Sequence, residues 1–286
     1  MKNQTLTPDS VLLVDSGSTD NTSNIINNWI KNYNMEYFKN IFSGRMSPSS
    51  SINYGIKKSD EDIIAYIDCG LDIPYKWIES SLDIMKNQNA DVVSSKIYTA
   101  GIDMIDKSFI AQTYGFDKKS LCLPGSLIKR NVFSQIGLLL ENVRASYDTD
   151  FVNKLHLNNF KRTINEAITI KYLGFNYTNS LISGAEKVYL YSQDGWYAKG
   201  DNKPIIYLVL TISIAFLFLF SFETFIFFVI TYIILRSLII PISKSKKSLK
   251  LIKSKNFFYL LISGFIIDSA RSIGYIKAFF SNLRKS

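Results

Sequence analysis

The stretch Val11-Leu12-Leu13-Val14-Asp15-Ser16-Gly17-Ser18-Thr19-Asp20-Asn21-Thr22 reads as a strand running into a loop rich in capping side chains. A short β-branched and apolar run that stops at a turn signal is the pattern of a buried strand. A helix follows over 23–34, with Ile25, Ile26, Trp29 and Ile30 on one face. Outward from there the alternation continues. Residues 37–42 read as a second strand, 47–58 as a loop entering a helix, and 62–67 as a third strand ending at Asp68. Ile73-Pro74 starts a helix carrying Trp77, Leu82 and Met85, and 91–97 read as a fourth strand. Residues 121–128 form a strand interrupted by Pro124-Gly125, 131–137 a short helix, 146–159 a capped helix and 163–172 a strand. Strands alternating with helices predict an α/β domain whose mostly parallel sheet is covered on both faces. Ligands bind such sheets at the C-terminal strand ends, and Asp15 and Asp68 stand at two of them.

The charge is unevenly placed. The chain has 33 basic and 24 acidic residues, and the whole excess of +9 falls after residue 203. That distribution excludes a uniformly basic nucleic-acid binder and points the tail toward an anionic membrane surface. Cys69 and Cys122 have no metal-type spacing, so both read as reduced thiols. His156 is the only histidine, set in Lys154-Leu155-His156-Leu157-Asn158 like a helix-surface residue, which argues against a Ser-His-Asp triad. No Gly-x-Gly-x-x-Gly follows the first strand, which counts against a dinucleotide-dependent redox enzyme. Residues 1–10 are polar and lack the apolar run of a secretory signal.

The tail is the clearest physical signal. Residues 205–222 carry no charge, and 225–242 carry only Arg236, with Glu223 and Thr224 between the two runs. Each is about long enough to cross a hydrocarbon core of roughly 30 Å. A transmembrane hairpin over 204–242 is therefore expected, with Arg236 snorkelling to its nearer end. Lys244, Lys246, Lys247, Lys250, Lys253 and Lys255 follow, which places that segment, and with it residues 1–200, on the cytoplasmic side of the cytoplasmic membrane. Residues 257–267 are too short to span and, within the basic segment 243–286, read as an interfacial helix.

The opening motif resembles the nucleotide-binding start of the family 2 glycosyltransferases, whose fold is called GT-A. The resemblance continues in order through Ser51-Ile52-Asn53-Tyr54-Gly55-Ile56, Asp68-Cys69-Gly70-Leu71-Asp72 with Pro74 and Trp77, and Leu123-Pro124-Gly125-Ser126 with Gly137. It extends to Tyr147-Asp148-Thr149-Asp150-Phe151 and Gln193-Asp194-Gly195-Trp196, and covers about residues 10–200. It implies an inverting transfer of a sugar from a nucleotide-sugar donor to a lipid-linked or glycan acceptor in surface polysaccharide assembly. Asp15, Arg45, Asn53, Asp68, Gln193 and Trp196 would meet the donor, and Gly125 and Ser126 the acceptor. Asp148, at a helix start whose dipole favours a carboxylate, would be the general base. Asp150 would cap or pair.

A divalent metal, Mg or Mn, would sit at Asp68, because hard ions on diphosphates take oxygen ligands; either Asp72 supplies a second carboxylate, or Asp68 with phosphates and water suffices, or metal use is weak. Here the chain departs from the family: Gly70 stands where the second acidic residue of Asp-x-Asp is usual, and Tyr147 where a Glu is usual. The family also begins with a strand and helix ahead of the first motif, and residues 1–10 do not supply them. The implied strand lies mid-sheet, beside the nucleotide. The alternatives are a synthase that loads sugar onto polyprenyl phosphate, and a catalytically decayed membrane scaffold of the same fold.

Overall fold

A computed structural model describes residues 1–118, 123–172, 177–198, 201–253 and 257–283. Cys122 and Lys255 lie outside the described residues; Cys69 is a free, exposed thiol. Two sheets organise the first part of the chain. The smaller is a parallel pair, β1 (Val11–Asp15) with β2 (Phe38–Phe42), joined through α1 (Thr22–Asn32). After it come α2 (Pro48–Lys57), β3 (Ile63–Tyr66), β4 (Leu71–Asp72), α3 (Trp77–Asn87), β5 (Val92–Thr99), α4 (Met104–Gln112) and β6 (Asp117–Lys118). Then follow β7 (Ser126–Lys129), α5 (Arg130–Ile136), α6 (Tyr147–Leu157), β8 (Arg162–Tyr172) and α7 (Leu181–Gln193). The larger sheet has the order β3-β7-β5-β8-β4, with β6 added to β5.

The α/β class with flanking helices holds. The expectation of a mostly parallel sheet needs correction at the level of pairing. β3, β5 and β8 share one direction, but β7 enters between β3 and β5 antiparallel to both, and β4 and β6 also pair antiparallel. β7 pairs through four residues with β3 and returns from the turn at Pro124-Gly125, a reversal that single-strand periodicity does not encode.

Side-chain alternation divides the core. Val92 and Ile128 face α2, α5 and α6 in a cluster with Ile56, Phe133 and Phe151; Val93 and Leu127 face α3 with Trp77 and Met85. A third cluster joins α4 and α7 to a C-terminal helix, α12 (Phe257–Leu283), through Phe109, Ile110, Val188, Leu260 and Ile267. Leu260 and Ile267 are fully buried, each stabilising the docking by about 1.5–3 kcal/mol. The approach is close: a Cβ on Gly274 of α12 would lie 2.6 Å from the Tyr189 carbonyl of α7.

Between α7 and α12 run the apolar helices α8 (Lys203–Phe220) and α9 (Phe222–Ile234). They meet at Ser221, whose hydroxyl caps α9. α9 continues through a π-helical turn, Leu235–Ile239, into α10 (Ile240–Lys244), and α11 (Leu249–Ile252) precedes α12. Tyr207 of α8 and Tyr232 of α9 both donate hydroxyls to Asp268 of α12, at 2.6 and 3.0 Å. Residues on either side of Ser221 thus reach one carboxylate, so α8 and α9 form an antiparallel hairpin. Large apolar side chains of both stay exposed, among them Ile212, Phe216, Phe222 and Phe227.

Two tail expectations change. Arg236 does not snorkel: it is buried, its Nε lies 2.7 Å from Asp268 Oδ2, and its Nη2 donates to Asp268 Oδ1 at 3.0 Å and to the Gly264 carbonyl at 3.2 Å. A guanidinium buried between apolar helices needs an opposite charge beside it, and Asp268 supplies one. The last helix is also longer than 257–267. Phe222–Lys244 and Phe257–Ser281 are both long and apolar enough to cross a membrane by length and composition.

Candidate functional site

The carboxylate that ends the third strand is ringed by phenols. Asp68 Oδ1 accepts a hydrogen bond from the Tyr66 hydroxyl, and Oδ2 accepts one from Tyr172 at 2.6 Å. β3 supplies Tyr66 and the far end of β8 supplies Tyr172, so the sheet itself sets this cluster. Gly125 and Ser126 belong to the same framework. The Gly125 N–H donates to the Tyr66 carbonyl at 2.8 Å, and Ser126 is buried with its hydroxyl 2.8 Å from that of Ser94. A side chain at Gly125 would strike Ile170 at 2.6 Å, and its φ of +77° is one that glycine adopts without strain. Both residues hold β7 against Tyr66; their own polar groups are spent inside the sheet.

Asp148 opens α6 as its second residue, and its Oδ1 accepts the Thr149 N–H at 2.8 Å. Tyr147 stands beside it as the first residue of α6. Burial pushes the Tyr147 hydroxyl above the ordinary phenol range, and the charges of Asp68 and then Asp148 push it the same way. Tyr114 and Tyr191 act on the same hydroxyl. Tyr147 and Tyr66, which donates to Asp68, pack on the same core cluster. The backbone entering α6 is held there by Asp194, whose Oδ2 accepts N–H bonds from Arg144 at 2.8 Å and Ala145 at 3.1 Å. Ser146 then takes a left-handed conformation, φ +65°, at the helix cap. Asp150 is buried and pairs with Lys154 at 2.8 Å, as a structural residue of α6.

The other donor-side residues divide. Asp15 is 6% exposed at the end of β1. Its Oδ1 accepts the N–H groups of Ser18 at 2.8 Å and Gly17 at 3.1 Å, and the Ser18 donor is the main reason its carboxyl is held below the usual range. Its Oδ2 is buried with no hydrogen-bond partner among the described residues. Arg45 lies close by: a Cβ on Gly17 would touch the Arg45 backbone at 3.1 Å. Arg45 is exposed and lines an open hollow of about 350 Å³ with Ser47, Tyr54, Lys57 and Glu141. Among the described residues no hydrogen bond links Asp15 or Arg45 to Asp68.

Asn53 is a strut. It is 1% exposed, its amide donates to the Leu139 carbonyl and Glu141, and its oxygen accepts the Leu139 N–H. Gln193 donates back to Tyr189 of its own helix. Trp196 donates to the Tyr275 carbonyl at 2.9 Å and packs on Phe279, so it docks α12. Asp72 is exposed on β4 and lines a separate hollow with Met1, Gln4 and Pro74.

Of the two carboxylates expected to hold a metal, Asp68 sits at the tyrosine cluster and Asp72 does not. No group of three or more His, Cys, Asp or Glu side chains converges among the described residues. Each Asp68 oxygen accepts one hydroxyl and keeps a second lone pair, so the residue fits as a single ligand to an ion and not as part of a protein cage. Sequence reasoning missed Tyr66, Tyr172 and Asp194. The alternation in Ile64-Ala65-Tyr66 marks an inward side chain, but its partner is 104 residues from Tyr172.

Residues 1–132 match the family described as Glycosyl transferase family 2. No curated protein matches the chain by sequence. Among solved structures, the mannosyltransferase PcManGT from Pyrobaculum calidifontis, in complex with GDP-Man and Mn2+, is 13% identical. The alignment covers 98% of this chain and 81% of that one, with a TM-score of 0.57. TarS from S. aureus is 17% identical over 69% of this chain, with a TM-score of 0.45; the chain spans only 36% of it. A 1–349 form of TarS in complex with UDP-GlcNAc is 15% identical over 98% of this chain and 85% of that one, with a TM-score of 0.45.

Proposed function

We propose that this chain, whose residues 1–132 match the family described as Glycosyl transferase family 2, is an inverting glycosyltransferase working at a membrane. It takes the sugar from a nucleotide diphosphate and gives it to a lipid-linked or glycan acceptor in surface polysaccharide assembly. The observation that carries this reading is that Tyr66, which donates to Asp68, and Tyr147, next to Asp148 in the chain, pack on one core cluster, which we read as one carboxylate for the donor side and one for the acceptor side of a single site. Asp148 takes the proton of the acceptor hydroxyl as its oxygen attacks the anomeric carbon. The bond from that carbon to the diphosphate breaks on the opposite face, which inverts the configuration. Asp15 offers its unpartnered Oδ2 to a base N–H or ribose hydroxyl, and Arg45 offers a planar cation to the diphosphate. A Mg or Mn ion arriving with the diphosphate would take Asp68 as its protein carboxylate and offset charge on the leaving group.

The membrane reading rests on the hairpin α8–α9, whose exposed side chains are apolar nearly all round. α12 reads as interfacial. One face packs on α4 and α7 through Leu260, Ile267 and Ala270, while Phe258, Phe265, Ile273 and Phe280 stay exposed at near-heptad spacing. A helix docked along the catalytic domain cannot also be surrounded by lipid. The domain limits follow as 1–200 for transfer, 204–242 for the hairpin and 243–286 for the basic, interfacial segment.

One observation favours a decayed scaffold: tyrosine hydroxyls already occupy both oxygens of Asp68. Calorimetric titration of the purified chain with UDP- and GDP-sugars separates the two. Binding is expected, weakened at least about tenfold by Asp15→Asn through loss of a charge-assisted contact. Absence of binding to every nucleotide sugar at millimolar concentration would remove the catalytic reading.

A further inference from the structure

Two arginines and one aspartate meet at the root of the apolar hairpin, and the aspartate serves one of them. Asp268 of α12 is engaged by Arg236: its Oδ2 lies 2.7 Å from Arg236 Nε, and its Oδ1 accepts Nη2 at 3.0 Å. The Tyr207 and Tyr232 hydroxyls donate to the same two oxygens. Arg271 follows less than one turn further along α12. Its Nη1 donates to the Tyr207 hydroxyl at 3.1 Å, and its guanidinium lies 5.9 Å from the centre of that ring. Among the described residues no carboxylate pairs with it. Asp201, just before α8, pairs with Lys203 instead. A guanidinium carries five N–H donors in a planar fork. Arg271 is half-buried with one of them used.

The surplus cation has a defined place. Tyr207 is in the second turn of α8 and Tyr232 in the last turn of α9, so the cluster lies at the end of the hairpin remote from Ser221. An exposed apolar stripe, Ile205, Val209 and Ile212, runs along α8 from that level toward the turn. In the other direction α12 leads to the entry of α6. Gly274 and Tyr275, one turn past Arg271, pack on the end of α7: a Cβ on Gly274 would strike Ser192, and Trp196 donates to the Tyr275 carbonyl at 2.9 Å. Asp194, between Ser192 and Trp196, holds the Arg144 and Ala145 N–H groups ahead of Asp148. The Tyr114 hydroxyl is raised by burial first, then by Tyr191 and Asp148, and drawn down by Arg271. Both charges thus act on one phenol.

We propose that Arg271 binds the phosphate of a lipid-linked acceptor, whose hydrocarbon chain follows the apolar stripe of α8 and whose head points toward α6 and Asp148. A phosphate accepts two parallel N–H bonds from the guanidinium fork and supplies the counter-charge that Arg271 lacks. Tyr207 is the positioning residue: its hydroxyl donates to Asp268 and accepts from Arg271, so it aims the guanidinium without touching the phosphate. The inference rests on the reading of a lipid-linked acceptor and names the group by which that acceptor is held.

Calorimetric titration of the delipidated full chain in neutral detergent with farnesyl phosphate tests it. Binding is expected, and Arg271→Gln should weaken it at least about tenfold through loss of a charge-assisted contact. Farnesol, without the phosphate, and inorganic phosphate, without the lipid, should each bind at least about tenfold more weakly. Equal affinity of the wild type and Arg271→Gln, or of farnesol and farnesyl phosphate, would overturn the proposal. So would inorganic phosphate binding as tightly, which marks a site for a free anion, or equal competition by phosphatidylglycerol micelles, which marks a general headgroup contact. Stability gives a second readout. A half-buried cation without a carboxylate disfavours the folded state, so Arg271→Gln should not lower the melting temperature of the lipid-free chain. Farnesyl phosphate should raise the melting temperature of the wild type and leave that of the variant unchanged. A variant that melts lower or fails to fold would show that the protein itself compensates Arg271, and the proposal falls. Parallel titrations with UDP- and GDP-sugars separate this inference from the donor reading. Nucleotide-sugar binding without Arg271-dependent farnesyl phosphate binding defeats this inference alone, and the reverse outcome defeats the donor reading alone.

Discussion

Asp148 and Asp150 stand two residues apart on α6 and have opposite surroundings. Asp148 is half-exposed, whereas Asp150 is buried against Lys154. Asp148→Asn keeps shape and removes the proton acceptor, so turnover is expected to fall by about 10²–10⁴-fold with donor affinity nearly unchanged. Asp150→Asn should instead cost about 1–3 kcal/mol of stability, because Lys154 loses its buried partner, and leave kcat within a few-fold. Equal losses of kcat in both variants would refute the assignment. Asp15 makes a pH prediction. Its carboxyl is held below its ordinary value of 3.8, chiefly by the Ser18 N–H. That stabilisation is fully present above the unfolded value and disappears as pH falls through the lower folded value. Urea midpoints taken from about pH 6 to about pH 2 should fall more steeply for the wild type than for Asp15→Asn. Parallel curves would show that Asp15 contributes nothing.

At the scale of elements, the entry to α6 depends on α7. Asp194 follows the last residue of α7 and receives the Arg144 and Ala145 N–H groups, so the loop that aims Asp148 is tied to a helix far away in sequence. Asp194→Ala frees those donors. It is expected to lower kcat by about tenfold or more, since small misplacements of a reacting group are costly, while KM for the donor moves little. Asp194→Asn retains an acceptor oxygen and should recover much of the rate. A donor KM that rises with kcat unchanged would assign Asp194 to donor binding instead.

At the scale of the whole molecule, an ion pair joins the hairpin's continuation to α12. Arg236 and Asp268 link α9's continuation to α12, with Tyr207 and Tyr232 closing the network on the same carboxylate. Asp268→Asn leaves the buried guanidinium uncompensated and should destabilise the detergent-solubilised protein by about 3–5 kcal/mol. An Arg236→Met/Asp268→Leu pair should recover most of that. If the single variant melts like the wild type, the network is not structural. A reporter fused after Lys255 is expected on the cytoplasmic side, from the basic residues that follow the hairpin. Activity of that fusion on the outer side would invert the topology and detach the hairpin reading from the orientation of the catalytic domain.

Most strands and helices from 11 to 172 were legible because their signals are local. A β-branched run, a capping serine or a proline at a helix start acts within a few residues, as at Val11–Asp15 or at Ser47 before α2. The helices α8 and α9 were legible as helices because each is a long uninterrupted apolar run. The candidate carboxylates were legible as residues, but not their neighbours. The tyrosine ring around Asp68 uses partners on β3 and β8, and Arg144 is gripped by Asp194 from 50 residues away. The antiparallel β7, the docking of α12 and the conversion of Asn53 and Trp196 into struts have the same origin. Sequence alone determined which segments are extended, helical or lipid-compatible, because those choices are made by each segment's own side chains and solvent. Tertiary structure decided which polar groups remain available to a substrate, because that depends on which distant backbone and side-chain donors reach them first.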